Sequence, residues 1–296
     1  MSKSKLLFTS LAIVISTLVM IRDTWGWGFF AHKWINRLAV DALPAEVRPF
    51  FEQHRDYLSE HAVDPDLWRD NDAAEHFRHF IDIDLYGPFP FKELPRDFEA
   101  AKQKFGEKTV IDRGIAPWWI EKQYDRLVQH MKSGKTDSLL VVAAALGHYV
   151  SDLHMPLHTV ENYDGQLTGN TGIHSRFEWQ MIERFSDRIH LTPEAADYLD
   201  DARTFAFNVV IRSYRLADEL LRADTDARTT GRVYGQPEDF DNAYYLALFS
   251  QAGELAEKQM CRAVTAVASI WYSAWIDAGK PTLSAEKAMQ NEKGRM

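Results

Sequence analysis

Residues 138–155, SLLVVAAALGHYVSDLHM, constrain this chain more than any other stretch. They read as one helix. Thr136 and Asp137 cap its start, and Pro156 stops it by removing a backbone donor and fixing φ. The first turns are almost wholly apolar, so the helix belongs in the interior or along a cleft. Yet it carries His148 and Asp152 four residues apart, on one face and one turn apart. A fold that buries this helix must give both groups partners. A core histidine paired with an aspartate would satisfy them, and so would a metal ion. Pro156 turns the chain off the helix axis, and His158 follows, placed to fold back toward the same face. His154 lies on a different face.

Most other segments also read as helix. Residues 31–43 space Trp34, Leu38 and Ala42, and Ile35 and Ala39, at helical intervals. Pro44 opens a second helix over residues 45–58, with Pro49 near its first turns. Residues 117–134 start with proline, carry an apolar stripe and end in glycine. Further helices are expected over 175–189 and about 204–223. Residues 242–279 form one long helix, or two joined near Gly253. Strand signals are sparse. The expected fold is all-α, a single compact multi-helix domain over residues 27–280, with a polar tail at 281–296.

Residues 1–26 have the pattern of a signal peptide. Lys3 and Lys5 precede an apolar run at 6–21, and Thr24-Trp25-Gly26 offers a cleavage site before Trp27. The run is short for a membrane span, and Arg22-Asp23 follows it, so no stable span is expected after cleavage. An uncleaved anchor is the alternative. Export would make the mature protein secreted or periplasmic. The formal charge is −9, and loss of residues 1–26 would deepen it by two. Duplex DNA binding is therefore not expected. The single cysteine, Cys261, rules out a disulfide framework or a Cys-rich zinc module within one chain. Any metal site must use His, Asp and Glu.

Such residues recur in three further places. His174 and Glu178, in GIHSRFEW, repeat the spacing of four. DPDLWRDNDAAEHFRHFIDID supplies Asp64, Asp66, His76, His79, Asp82 and Asp84, and its HFIDID end alternates like a partly buried extended segment. If cleavage exposes Trp27, its amine and carbonyl can chelate one metal, and His32 lies five residues on. Each pair has a plainer reading as a salt-linked or core pair. Two pairs bracketing a turn with a third histidine favour metal. Zinc suits imidazole and carboxylate donors when thiolate is absent.

Together, His148-x3-Asp152-x5-His158, GIHSRFE, HF-I-D and Trp27 resemble the tri-zinc phosphoesterase family. That family contains bacterial zinc-dependent phospholipases C and plant and fungal single-strand-specific nucleases of the mung-bean type. The resemblance implies an all-α domain with a trinuclear zinc cleft. One zinc would take Asp66, His79, His148 and Asp152. A second would take His158, His174 and Glu178. A third would take the amine and carbonyl of Trp27, His32 and the other oxygen of Asp152. Asp64 rivals Asp66 as the first acid. In the mechanism so implied, Asp66 orients or deprotonates a water, Asp152 bridges two ions, and Asp82 supports His79 from behind. Glu178 and the short interval from His158 to His174 are similar to the phospholipases. The short interval from Trp27 to His32 is similar to the nucleases. The substrate is then a phospholipid or single-stranded nucleic acid, with small phosphate esters also open. The rival from another class is a non-catalytic helical envelope protein, binding an apolar partner through tryptophans such as Trp118, Trp119, Trp271 and Trp275.

Overall fold

In the computed structural model, which describes residues 27–283, helix Thr136–Asp152 lies at the centre. Every residue from Val142 to Asp152 is buried. A helix apolar on all sides needs neighbours on all sides. In chain order the helices are α1 Phe29–Ala42, α2 Arg48–Gln53, α3 Arg55–Glu60, α4 Asp64–Trp68, α5 Phe98–Phe105 and α6 Glu107–Asp112. They continue with α7 Ala116–Ser133, α8 the central helix, α9 Ile173–Ser175, α10 Ile182–Arg184, α11 Ala202–Ala227 and α12 Asn242–Asp277. Helices α1, α3, α7 and α12 pack on α8, and α11 packs on α7 and α12. The described residues contain no strand. None of their helices is long and apolar enough to cross a membrane. The expected signal peptide at 1–26 and the tail beyond 283 lie outside the described residues.

Close approach to α8 depends on Gly147. A Cβ there would sit 2.1 Å from Asn36 Oδ1 on α1. Asn36 instead donates to Ala144 O on α8 and to Leu58 O on α3, tying three helices together one residue before His148. Tryptophans make similar ties. Trp271 Nε1 donates to Ala143 O at 3.0 Å, and Trp27 Nε1 donates to Ser151 O at 2.8 Å. Trp118, Trp271 and Trp275 are core residues, and Trp119 is partly buried beneath Arg78.

Helix α12 runs unbroken for 36 residues through Gly253. One of its rows, Glu257, Cys261, Thr265, Ser269 and Ser273, recurs every four residues. It accepts the backbone N–H groups of His190, Thr192, Glu194, Asp197 and Leu199 in turn. Residues 190–199 thus form a strap bonded to side chains rather than to a neighbouring strand. The lone cysteine is one rung of that ladder.

Several expected elements differ. The helix expected over 45–58 divides at His54 into α2 and α3, where Arg55 turns to bind Asp41 and the Arg37 carbonyl of α1. The helix expected over 175–189 is α9, then a π turn at Arg176–Met181, then the short α10. The HFIDID segment keeps its expected alternation of burial, with Ile81 and Ile83 buried between half-buried neighbours, and it pairs with no strand. Its backbone bonds to the His158 and Arg113 carbonyls, and a 3₁₀ turn starts at Ile83.

Candidate metal centre

Helix α8 presents His148 and Asp152 to a point where five other segments converge. The nearest groups are His32 from α1, Asp66 from α4, His79 after the 3₁₀ turn Glu75–Arg78, His158 after Pro156, and the His174–Glu178 pair. His79 Nδ1 lies 3.0 Å from both Asp152 Oδ2 and His148 Nε2. His148 Nε2 lies 3.2 Å from Asp152 Oδ2, and His32 Nε2 lies 3.3 Å from Asp152 Oδ1. Asp66 Oδ1 is 3.8 Å from both His79 Nδ1 and His148 Nε2. At the other end, His174 Nε2 is 2.9 Å from Glu178 Oε2 and 3.1 Å from His158 Nε2. Three groups result: His32, Asp66 and His148; His79, His148 and Asp152; and His158, His174 and Glu178. Asp152 joins the parts, with its Oδ2 toward His79 and its Oδ1 toward His32 and, at 3.8 Å, His158.

The outer ring atoms decide which nitrogens face inward. His148 Nδ1 donates to Ala62 O, His158 Nδ1 to His79 O, and His174 Nδ1 to Tyr163 O. Ser151 Oγ gives its hydrogen to His148 O, so it accepts from His32 Nδ1 at 2.8 Å. A neutral imidazole has one N–H. In its neutral form each of these four rings therefore turns an Nε2 lone pair toward the cluster. Such outer hydrogen bonds fix the tautomer and raise the basicity of a metal-binding imidazole. His158 and His174 then face each other lone pair to lone pair, which a cation between them would relieve.

The inner atoms fit a metal. Asp152 Oδ1, both Glu178 carboxylate oxygens and His32 Nε2 are buried without a hydrogen-bond partner. Buried anionic oxygens left so are costly unless a cation or donor faces them. Burial, aided by His148, lowers the His32 pKa to about 4, and burial lowers that of His158 to about 3. Burial also opposes charge on His148, but Asp152 and Asp66 outweigh it and raise the pKa to about 9. Burial lifts Glu178 to about 8. For Asp152 burial is outweighed, chiefly by His148, and its pKa falls well below the usual range. Opposed perturbations in one buried cluster mark a functional site. The donors are imidazole and carboxylate only, a set suited to zinc.

Trp27 sits between the two ends. Its indole bonds Ser151 O beside Asp152, and the next residue, Gly28, donates its N–H to Glu178 O at 3.4 Å. In the full chain Gly26 precedes it, so its nitrogen is an amide. Asp64 lies outside the cluster and pairs with His61 at 2.8 Å. Asp66 is the inward acid of the two and also pairs with Arg69. His154 joins none of the three groups. Its Nδ1 donates to Val150 O at 2.9 Å.

The residue behind His79 is Glu75, in the place expected for Asp82. Glu75 Oε1 lies 3.4 Å from His79 Nε2 and accepts from Tyr149, while Arg78 binds the other oxygen. Glu75 precedes His79 by four, the spacing of the other pairs, and that spacing could have revealed it. Asp82 instead lines the adjacent cleft, where burial, then Asp84 and Glu161, push its pKa up to about 7. This cleft, about 190 Å³ in volume, is bounded by His79, His158 and His174 at its floor. His76, Phe80, Leu157 and Tyr163, with Asp82 and Asp112, form its remaining walls.

A family model described as zinc dependent phospholipase C matches residues 31–224, which include every side chain of the three groups. The chain belongs to the zinc dependent phospholipase C family. No curated protein matches it. Among solved structures, the alpha-toxin of an avian strain of Clostridium perfringens superposes with a TM-score of 0.51 at 16% identity. The alignment covers 87% of this chain and 66% of the toxin. The alpha-toxin of Clostridium absonum gives a TM-score of 0.49 at 14% identity, covering 86% of this chain and 65% of the toxin. This family member thus spans just under two thirds of the length of those toxins. What it shares with the Clostridium perfringens toxin at this identity is the fold.

Proposed function

We propose that this chain is a zinc-dependent phosphoric ester hydrolase of the phospholipase C type, cleaving the phosphodiester of a phospholipid. The observation that carries the reading is the buried cluster itself. Asp152 and Glu178 turn unsatisfied oxygens into it, four imidazoles turn their Nε2 atoms into it, and it forms the wall of a cleft. We assign three zinc ions to it. Asp66, His79, His148 and Asp152 would hold one, and His158, His174 and Glu178 another. Trp27, freed at its amine by cleavage of residues 1–26, would hold the third with His32 and Asp152. Zinc so bound supplies positive charge for the phosphate oxygens and lowers the pKa of a water.

The protein's own groups do the rest. Asp152, buried and held ionised, keeps the ligands His32, His79 and His148 within reach of one carboxylate. Asp66 is the one inward acid with an outward tether, Arg69, and is placed to orient the attacking water. The cleft beside them carries rings and two acids. The rings of Phe80 and Tyr163, with Asp82 where it is ionised and Asp112 shared with Lys108, favour a substrate with a cationic headgroup, such as phosphatidylcholine, over a polyanion such as RNA. Secretion follows from reading residues 1–26 as a signal peptide, and N-terminal sequencing of the exported protein should begin at Trp27.

The test is a parallel assay on phosphatidylcholine vesicles and single-stranded RNA, each with chelator and with zinc restored. We expect phosphocholine release that chelator abolishes and zinc restores, with little RNA cleavage. RNA cleavage without lipid cleavage would move the chain to the nuclease branch. Purified mature protein without bound zinc would end the whole reading.

A further inference from the structure

The pair His174 and Glu178 is separated by Arg176, whose side chain turns away from the metal cluster. It is 5% exposed and every outward contact is accounted for. Its Nη1 donates to Thr171 O at 2.8 Å and its Nη2 to Asn170 O at 2.9 Å. Nη2 also reaches Asp224 Oδ1 at 2.9 Å, and Nε donates to Tyr244 Oη at 3.0 Å. The Phe240 ring lies 3.9 Å from the guanidinium. Asp224, at the C-terminal end of α11, is fully buried. Its Oδ1 also accepts from the Tyr244 hydroxyl, and its Oδ2 accepts from Asn170 and from Arg228, each at 2.6 Å. Gly172 completes the arrangement. Its φ is +86°, and a Cβ there would come within 2.6 Å of Arg176 Nη1.

These contacts converge on the segment that carries one metal group. The loop from Tyr163 to Gly172 supplies the carbonyl that orients His174, and Asp164 holds Gly172 N at 2.9 Å. Asn170 and Thr171 are pinned by Arg176 and Asp224. The π turn that presents Glu178 begins at Arg176 itself. A π turn is rare and is common at functional sites. No comparable clamp is needed for His148 and Asp152, because α8 is rigid and central. Half of the clamp, Arg228, Phe240 and Tyr244, lies beyond the residues 31–224 that match the family.

We infer that Asp224, acting through Arg176, is a positioning residue that sets the His174–Glu178 pair for one metal ion. This rests on the zinc reading above. Neither residue touches the metal or the substrate. Arg176 transmits the constraint, and α11 and α12 supply the anchor. Loss of the clamp should therefore weaken one ion selectively. A general packing defect would instead lower stability with metal and without it alike.

The experiment uses the mature chain with zinc, and Asp224→Asn and Tyr244→Phe variants. Zinc per chain is counted by mass spectrometry after dialysis against graded chelator, and Tm is measured for loaded and stripped protein. Asp224→Asn should release one zinc equivalent at about 10- to 100-fold lower chelator than the wild type, the scale of lost support around a metal ligand. Its zinc-induced rise in Tm should shrink. The control is Asp277→Asn, which removes a carboxylate shared by Tyr124 and Tyr198 at the end of α12. It should lower both Tm values and keep all zinc. If Asp224→Asn does not fold, Tyr244→Phe decides, since it removes one hydroxyl from the same clamp. Retention of all zinc by the folded clamp variant at wild-type chelator concentrations overturns the inference, and so does parallel loss of every ion. Lipid hydrolysis is not read here, so a chain that binds zinc without cleaving lipid bears only on the proposed activity.

Discussion

At the scale of single residues, the cluster treats differently two histidines that helix spacing already sets on different faces. His148 and His154 sit six residues apart on either side of Asp152, and both are buried. His148 points its Nε2 at Asp152 and Asp66, whereas His154 bonds Val150 O on its own helix. Asp152→Ala should remove about two zinc equivalents, while His154→Ala should keep the full complement at some cost in stability. Equal losses by elemental analysis would contradict this division. Titration gives a second expectation. In zinc-stripped protein His148 is raised from 6.5 to about 9 and Glu178 from 4.5 to about 8. Between those limits the folded state holds protons the unfolded state has released, so stability falls as pH rises. The two windows overlap from about 6.5 to 8, where the decline should be steepest. Zinc replaces those protons and should flatten or reverse it. Below pH 6.5 the sign changes for His32 and His158, whose lowered pKa values make acid destabilising. Denaturant titrations of stripped and loaded protein across pH 5 to 9 would show this. A stripped chain equally stable at pH 6.5 and 8 would refute it.

At the scale of elements, periodicity served where helices are long and buried on a broad face. Helices α1, α7, α8 and α12 follow the expected spans closely, and Gly253 proved no obstacle within α12. Periodicity failed where the backbone departs from 3.6 residues per turn for a local reason. Over the six residues of the π turn, the wider spacing is indistinguishable from an ordinary helix by pattern. The strap at 190–199 was illegible for a different reason. Its energy comes from its own N–H groups, which every residue but proline has, and from a row of small polar side chains on a distant helix. The His–acid pairs of the cluster were readable as pairs because a spacing of four is imposed by helix geometry. Glu75 was missed although it obeys the same rule, because His79 lies at the end of a 3₁₀ turn rather than in a helix. The strap yields a prediction at this scale. Ser273 is fully buried and accepts the Leu199 N–H at 2.8 Å. Ser273→Ala would leave that donor unsatisfied and should cost about 1–2 kcal/mol in chemical denaturation. Zinc content should not change, because the strap's hydrogen bonds run to α12 and to Ala42 of α1, not to the three candidate metal groups. Loss of zinc in that variant would mean the strap and the metal cluster are coupled.

At the scale of the whole molecule, the same cluster that would do chemistry also joins the fold. Its side chains come from α1, α4, the turn before His79, α8, the turn after Pro156 and the segment from α9 into the π turn. Segments as distant in sequence as those of His32 and Glu178 are joined here, His32 to Asp152, Trp27 to Ser151 O, and Gly28 to Glu178 O. With zinc, the buried oxygens of Asp152 and Glu178 become bonds between segments. Without it, they are charges or protons held in the interior, and His158 and His174 press nitrogen against nitrogen. Metal affinity is then folding stability. One site filled at a hundred times its Kd adds about 2.7 kcal/mol. For a domain of this size, each kcal/mol shifts Tm by roughly 2–4 °C. Removing every ion should therefore lower Tm by roughly 10 °C or more, and restoring zinc should recover it. The loss should appear first in the segments the cluster joins, as faster hydrogen exchange in residues 161–181 than in the centre of α8. A Tm unmoved by chelator would mean that hydrogen bonds and protons satisfy these buried groups without a metal.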